Sequence, residues 1–181
     1  QRFRDLPANW YDEALYGVGV CAIKLGEHDQ GIASLTKLVE MFPESRHRNE
    51  AEVMMIDAQL SDASGPGAEA KLEALLKDPR SSNRVRAKAQ QGLATICEQK
   101  NDTKGALERY ANIVVLYGDV EELQKTATQK CADLFLALGR TNEARFYFGQ
   151  LVESYAGALS PEELGRAKAQ AAALEKAAKQ P

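Results

Sequence analysis

A chain of 181 residues suits one compact domain or one short array of repeats. Apolar residues at 44% and charged residues at 27% are ordinary for a folded chain and exclude wholesale disorder. A net charge of −3 argues against a main role on phosphate backbones, and no apolar run reaches the length of a membrane span. With six prolines and no run of alternating β-branched residues, helix is the default expectation along the chain.

The elements follow in order. "QRFRDLPAN" reads as the tail of a helix and its exit loop. A first helix places Leu15, Val18, Gly19 and Ala22 on one face and stops at Gly26. A second helix carries Gly31, Leu35 and Leu38 at spacings of four and three, then ends at Phe42-Pro43. The pair then recurs. Glu52, Met55, Ile56 and Gln59 precede the breaker "SDASGPG", and Ala68, Leu72 and Leu75 follow it. Gln90, Leu93, Ala94 and Cys97 lead through Asn101-Asp102 to Ala106, Tyr110 and Ile113. Thr128, Cys131, Ala132 and Phe135 lead through Gly139 to Ala144, Phe148 and Leu151. The small residues 31, 68, 106 and 144 are thus spaced by 37, 38 and 38. A last helix opens at "SPEE", with Ser160 as N-cap, Pro161 at the first helical position and Glu163 closing a capping box. Its stripe of Leu164, Ala167, Ala171, Leu174 and Ala178 suits a terminal cap.

This pattern resembles the tetratricopeptide repeat (TPR), a helical hairpin with an aromatic-Leu-Gly first helix, an A-x3-F second helix and a closing proline. "LYGVGVCA" with "GIASL" and "FP" carries the resemblance best, and "GRTNEARFYFGQL" supplies a second half. The long period and "FPES" exits are similar to the TPR adaptors of bacterial cell envelopes, of the BamD and YbgF type. The resemblance implies an all-α fold: an α-solenoid of antiparallel helical hairpins in a right-handed superhelix. The expected organisation is a repeat tail at 1–11, repeats at 12–45, 46–82, 83–120 and 121–158, and a capping helix at 160–181. The chain is expected to be an excerpt of an array that continues upstream of Gln1, with Tyr16, Val20 and Ile23 at its N-terminal end self-associated or covered by an upstream helix.

Catalytic and cofactor chemistry finds no support in spacing. His28 and His47 stand apart from any nucleophile or placed carboxylate, and "SGPG" lacks the following Lys-Ser/Thr of a phosphate loop. Cys21, Cys97 and Cys131 have no metal-ligand spacing and read as buried structural thiols on first helices. No catalytic residue, metal site or cofactor is therefore expected. The thiols fit a reducing cytoplasm and the envelope resemblance fits the periplasm, and the sequence leaves both open.

An interaction surface remains. First helices of a TPR array line its concave face, which implies a partner-binding groove of Tyr16, Val20, Ile23, Val53, Asp57 and Leu60. Further along, the face turns polar through Gln91, Thr95, Glu98, Gln129 and Asp133. The apolar half would receive a partner's apolar peptide or be covered by an upstream segment. Arg46, Arg48, Arg84 and Arg86 form a basic edge for an anionic partner, interrupted by "GDVEE" at the next repeat. The function expected is a protein-interaction scaffold. The alternatives are a regulatory or docking segment of a larger enzyme and a helical-repeat RNA binder.

Overall fold

The computed structural model describes residues 8–60 and 67–178, with side chains at 10–58 and 67–178. Among these the chain is all-α, with nine α-helices: α1 (Ala8–Lys24), α2 (His28–Met41), α3 (Arg48–Leu60), α4 (Ala68–Lys77), α5 (Asn83–Gln99), α6 (Thr103–Leu116), α7 (Glu121–Ala137), α8 (Thr141–Ser154) and α9 (Pro161–Ala178). A 3-10 turn at Ala156–Ala158 precedes α9. Residues 8–11, expected in the tail of a preceding repeat, are instead the first turn of α1. The chain divides into two compact units, residues 1–92 and 93–181, with the division inside α5.

The connections α1–α2, α5–α6 and α7–α8 are short and close in one device. In α1, α5 and α7 the chain leaves the helix through a residue in the left-handed region: Gly26 (φ 82°), Asn101 (φ 57°) and Gly139 (φ 70°). The next residue's N–H then reaches back to Ala22, Cys97 or Phe135 at 2.9, 2.8 and 2.9 Å. These are Schellman closures, which satisfy the otherwise orphaned last carbonyls of the helix. The breaker before α4 lies largely outside the described residues, but Gly67 there also has a left-handed φ of 92°.

All four small-large-large trios of the second helices are buried: Gly31, Leu35 and Leu38; Ala68, Leu72 and Leu75; Ala106, Tyr110 and Ile113; Ala144, Phe148 and Leu151. On the first helices Gly19, Ile56, Ala94 and Ala132 are buried in equivalent register. In unit 1, α1 and α2 cross at two glycines. A Cβ on Gly19 would lie 2.5 Å from Leu35, and one on Gly31 would lie 3.0 Å from the Gly19 carbonyl. No side chain larger than hydrogen fits that crossing. In unit 2, α6 packs on α7, α7 on α8 and α8 on α9. The predicted capping box of α9 is formed: Ser160 Oγ accepts from the Glu163 N–H at 3.2 Å, and Glu163 accepts from the Ser160 N–H at 2.7 Å.

Two core assignments are corrected. Val18 is half exposed rather than packed. Cys21 is exposed on the same side, Cys97 is half-buried, and Cys131 alone of the three thiols is fully buried.

Candidate interaction surface

Polar side chains on the first helices bond to the next repeat in a consistent direction, with the acid in one repeat and the base in the one that follows. In unit 1, Glu13 pairs with Arg46, Glu50 with Arg84 at 3.7 Å and Asp57 with Lys88 at 3.4 Å. In unit 2, Glu98 pairs with Lys130 at 2.9 Å and Asp133 with Arg166 at 2.8 Å. Each pair is partly solvated, so none adds more than about 1 kcal/mol of stability. Their shared direction favours one stacking order, since reversing it would bring acid onto acid.

The same register carries a second role. Arg86 donates to the Asp78 carbonyl at the end of α4 (3.0 Å), and Gln124 donates to Ile113 and Val114 at the end of α6 (3.2 and 2.9 Å). Gln124 also accepts from the Tyr155 hydroxyl at 2.9 Å, tying α6, α7 and the end of α8 together. The arginines expected to meet an anionic partner are therefore engaged within the chain. Arg46 holds Glu13, Arg48 holds Glu52 at 2.9 Å, Arg84 holds Glu50, and Arg86 caps α4.

The expected groove residues divide sharply. Val53 has no accessible surface and belongs to the core of unit 1, so it cannot line a groove. Leu60 lies outside the residues whose side chains are described. Tyr16, Val20 and Ile23 are half-buried, and Ile23 packs against the Leu35, Leu38 and Ala51 cluster. Tyr16 stacks on His47 with ring centroids 4.3 Å apart. Burial first, and then the Glu50 carboxylate bonded to it, push the Tyr16 phenol up to about 12. Burial also raises the Asp57 carboxyl, against the pull of Lys88. In unit 2, the Tyr110 hydroxyl donates to Glu98 at 3.3 Å, and burial and then that carboxylate raise its pKa. These are packing and hydrogen-bonding arrangements, and nothing in them places a nucleophile against a base. Among the described residues no group of three or more His, Cys, Asp or Glu is placed to hold a metal ion.

Sequence reasoning missed an open groove on the other side of unit 1. Ile32, Thr36 and Val39 of α2, Met55 and Ile56 of α3, and the rim residues Glu40, Glu52 and Lys71 enclose about 320 Å³. That is the low end of the volumes that seat a ligand or an inserted side chain. Thr36 Oγ1 donates to Met55 Sδ at 3.4 Å across its floor. Ile32 and Val39 each follow a buried trio residue by one position, a second apolar flank that was visible in the sequence.

The tetratricopeptide repeat family model matches residues 13–45, which cover most of α1 and all of α2, and residues 130–158, which cover the second half of α7 and all of α8. These two stretches are similar to tetratricopeptide repeats. Comparison with curated proteins finds no match. The same small-large-large trio is buried in the two intervening second helices, α4 and α6. Tetratricopeptide repeats generally mediate protein–protein interaction, and an all-helical TPR fold is typically a non-catalytic scaffold. No helix of the described residues is long and apolar enough to cross a membrane.

Proposed function

We propose that this protein is a scaffold that docks a partner protein through unit 1, with an apolar side chain of the partner seated in the groove between α2, α3 and α4. The observation that carries this is the groove itself: an apolar floor of Ile32, Val39 and Met55 that is open to solvent, beside a rim bearing both signs of charge. A shallow apolar slot with a polar rim suits an anchor residue on a peptide or helix, which supplies most of the energy of many protein contacts. The engaged state of the four arginines supports an apolar anchor over an anionic partner or a nucleic acid. The half-buried Tyr16, Val20 and Ile23, with Asp57, offer a second surface on the first helices of the same unit. The 37- and 38-residue periods and the Phe42-Pro43 exit support the narrower reading of an envelope-type adaptor.

The test is cross-linking of the tagged protein in source-cell extract, with identification of the partner and reconstitution of the purified pair. Ile32→Glu places a charge in the groove, and Val20→Glu places one on the first-helix surface. Loss of binding in Ile32→Glu alone supports the groove, and loss in Val20→Glu alone transfers the site to the first helices. A reconstituted partner bound equally by both variants would sink the proposal that unit 1 is the docking unit.

A further inference from the structure

The three methionines of the chain all lie in unit 1, each in different surroundings. Met41 is 53% exposed at the end of α2. Met54 is half-buried against the Leu35, Leu38 and Ala51 cluster, away from the groove between α2, α3 and α4. Met55 touches the same cluster but also lines that groove, and Thr36 Oγ1 donates to its Sδ at 3.4 Å.

That hydrogen bond is an unusual use of a helical threonine. Thr126 and Thr128 turn their hydroxyls back to the carbonyls of Glu122 and Gln124, one turn earlier, at 3.2 and 2.8 Å. Thr36 instead reaches across from α2 to α3 and donates to a thioether, a weak acceptor. A stronger acceptor at the same place would suit the hydroxyl better, and an oxygen on Sδ is one. The open groove gives a small oxidant access to that sulfur. With a hydroperoxide the reaction balances without a further reagent. A sulfur lone pair attacks one peroxide oxygen, and the S–O bond forms as the O–O bond breaks. The departing hydroxide takes the proton carried by the transferred oxygen and leaves as water. Sulfur is oxidised by two electrons and the peroxide is reduced by two.

We propose that Met55 is an oxidative modification site: hydrogen peroxide converts it to the sulfoxide, Thr36 holds the new oxygen, and the groove closes to an apolar side chain. This rests on the docking reading above and adds its regulation. Of the floor formed by Ile32, Val39 and Met55, one member turns polar. An anchor seated over it would bury the S–O group away from water, which disfavours docking. The fold itself is spared, because Thr36 supplies a donor and the groove is open to solvent. Methionine sulfoxide reductases return the thioether, so the change is reversible.

The full chain is treated with hydrogen peroxide while folded, and each methionine is followed by peptide-mapping mass spectrometry. Met55 is expected to oxidise together with exposed Met41 and ahead of Met54, with the melting temperature little changed. Affinity for the partner reconstituted for the Ile32→Glu test is expected to fall about tenfold or more on oxidation. Methionine sulfoxide reductases should restore it, which separates the effect from oxidation of the cysteines. The response should persist in Met41→Leu/Met54→Leu, where Met55 is the only methionine left. A Met55 that resists peroxide until the fold melts would overturn the proposal and leave the docking groove standing. So would oxidised protein that melts well below the untreated one. Unchanged affinity after full oxidation at Met55, where Ile32→Glu abolishes binding, would equally overturn it. A partner indifferent to Ile32→Glu would instead overturn the docking reading, and this regulation with it.

Discussion

The crossing of α1 and α2 makes a prediction in which one chemical change has opposite signs at two sites. Gly31 and Gly149 both lie inside helices, at ordinary helical φ, so replacing either with alanine improves helix propensity by about 1 kcal/mol. At Gly149 a Cβ meets nothing within 4 Å, and that gain stands alone. At Gly31 the Cβ would lie 2.5 Å from Ile23 Cγ1, 3.0 Å from the Gly19 carbonyl oxygen and 3.1 Å from the Ile23 nitrogen. The Ile23 side chain can rotate, but the two backbone atoms cannot. The helices must separate, and they carry Leu35 and Leu38, both fully buried, away from their contacts. Overpacking of this kind costs about 1–3 kcal/mol, which exceeds the propensity gain and leaves Gly31→Ala less stable by about 1 kcal/mol. Urea unfolding of both variants measures the difference, expected at about 2 kcal/mol between them. A Gly31→Ala midpoint raised as far as that of Gly149→Ala would refute the close crossing.

Other outcomes follow from the same packing. Phe148 is fully buried on α8, so Phe148→Ala should lower stability by about 3–5 kcal/mol in a denaturant melt. Gln124→Leu should cost about 1–3 kcal/mol in the same assay, because it removes a donor to the Val114 carbonyl, one of the two donors to the Ile113 carbonyl, and the acceptor of the Tyr155 hydroxyl. Thiol labelling of the native protein should be fast at exposed Cys21 and reach Cys131 only on unfolding, as mass-spectrometric footprinting would show. Burial pushes the Cys131 thiol from 9.0 up to about 12, so its contribution to stability holds below pH 9 and is lost as pH rises from there through 12. Cys131→Ala should flatten that alkaline limb of the stability curve.

What could be read in advance was the periodic part of the fold. The trios Gly31-Leu35-Leu38 through Ala144-Phe148-Leu151 were readable because every copy solves the same local problem, one helix against its predecessor. The turns were readable at Gly26, Asn101 and Gly139 because a left-handed residue is chemically distinctive. Val18 was misplaced for the complementary reason. Its register is fully buried at Cys131 and half-buried at Met55, and the repeat pattern carries no mark of how well each copy is covered.

The surfaces were harder to read, and the physical cause is phase. Val53 and Asp57 stand one turn apart on α3 and were both assigned to the groove, yet Val53 is wholly buried while Asp57 reaches Lys88. The helical face that separates packing from solvent is set by where neighbouring helices lie, which spacing alone does not specify. The arginines were hard to read for a related reason. A cationic cluster looks like a binding site until its partners are located, and those partners lie roughly one repeat away: Glu13 for Arg46, Glu50 for Arg84. Because a period of 37 or 38 residues places acids of one repeat beside bases of the next, charge in such an array goes first into ordering its own stack. Recognition is then left to whatever the stacking does not use. In unit 1 that remainder includes the apolar floor of Ile32, Val39 and Met55 proposed above as the docking groove.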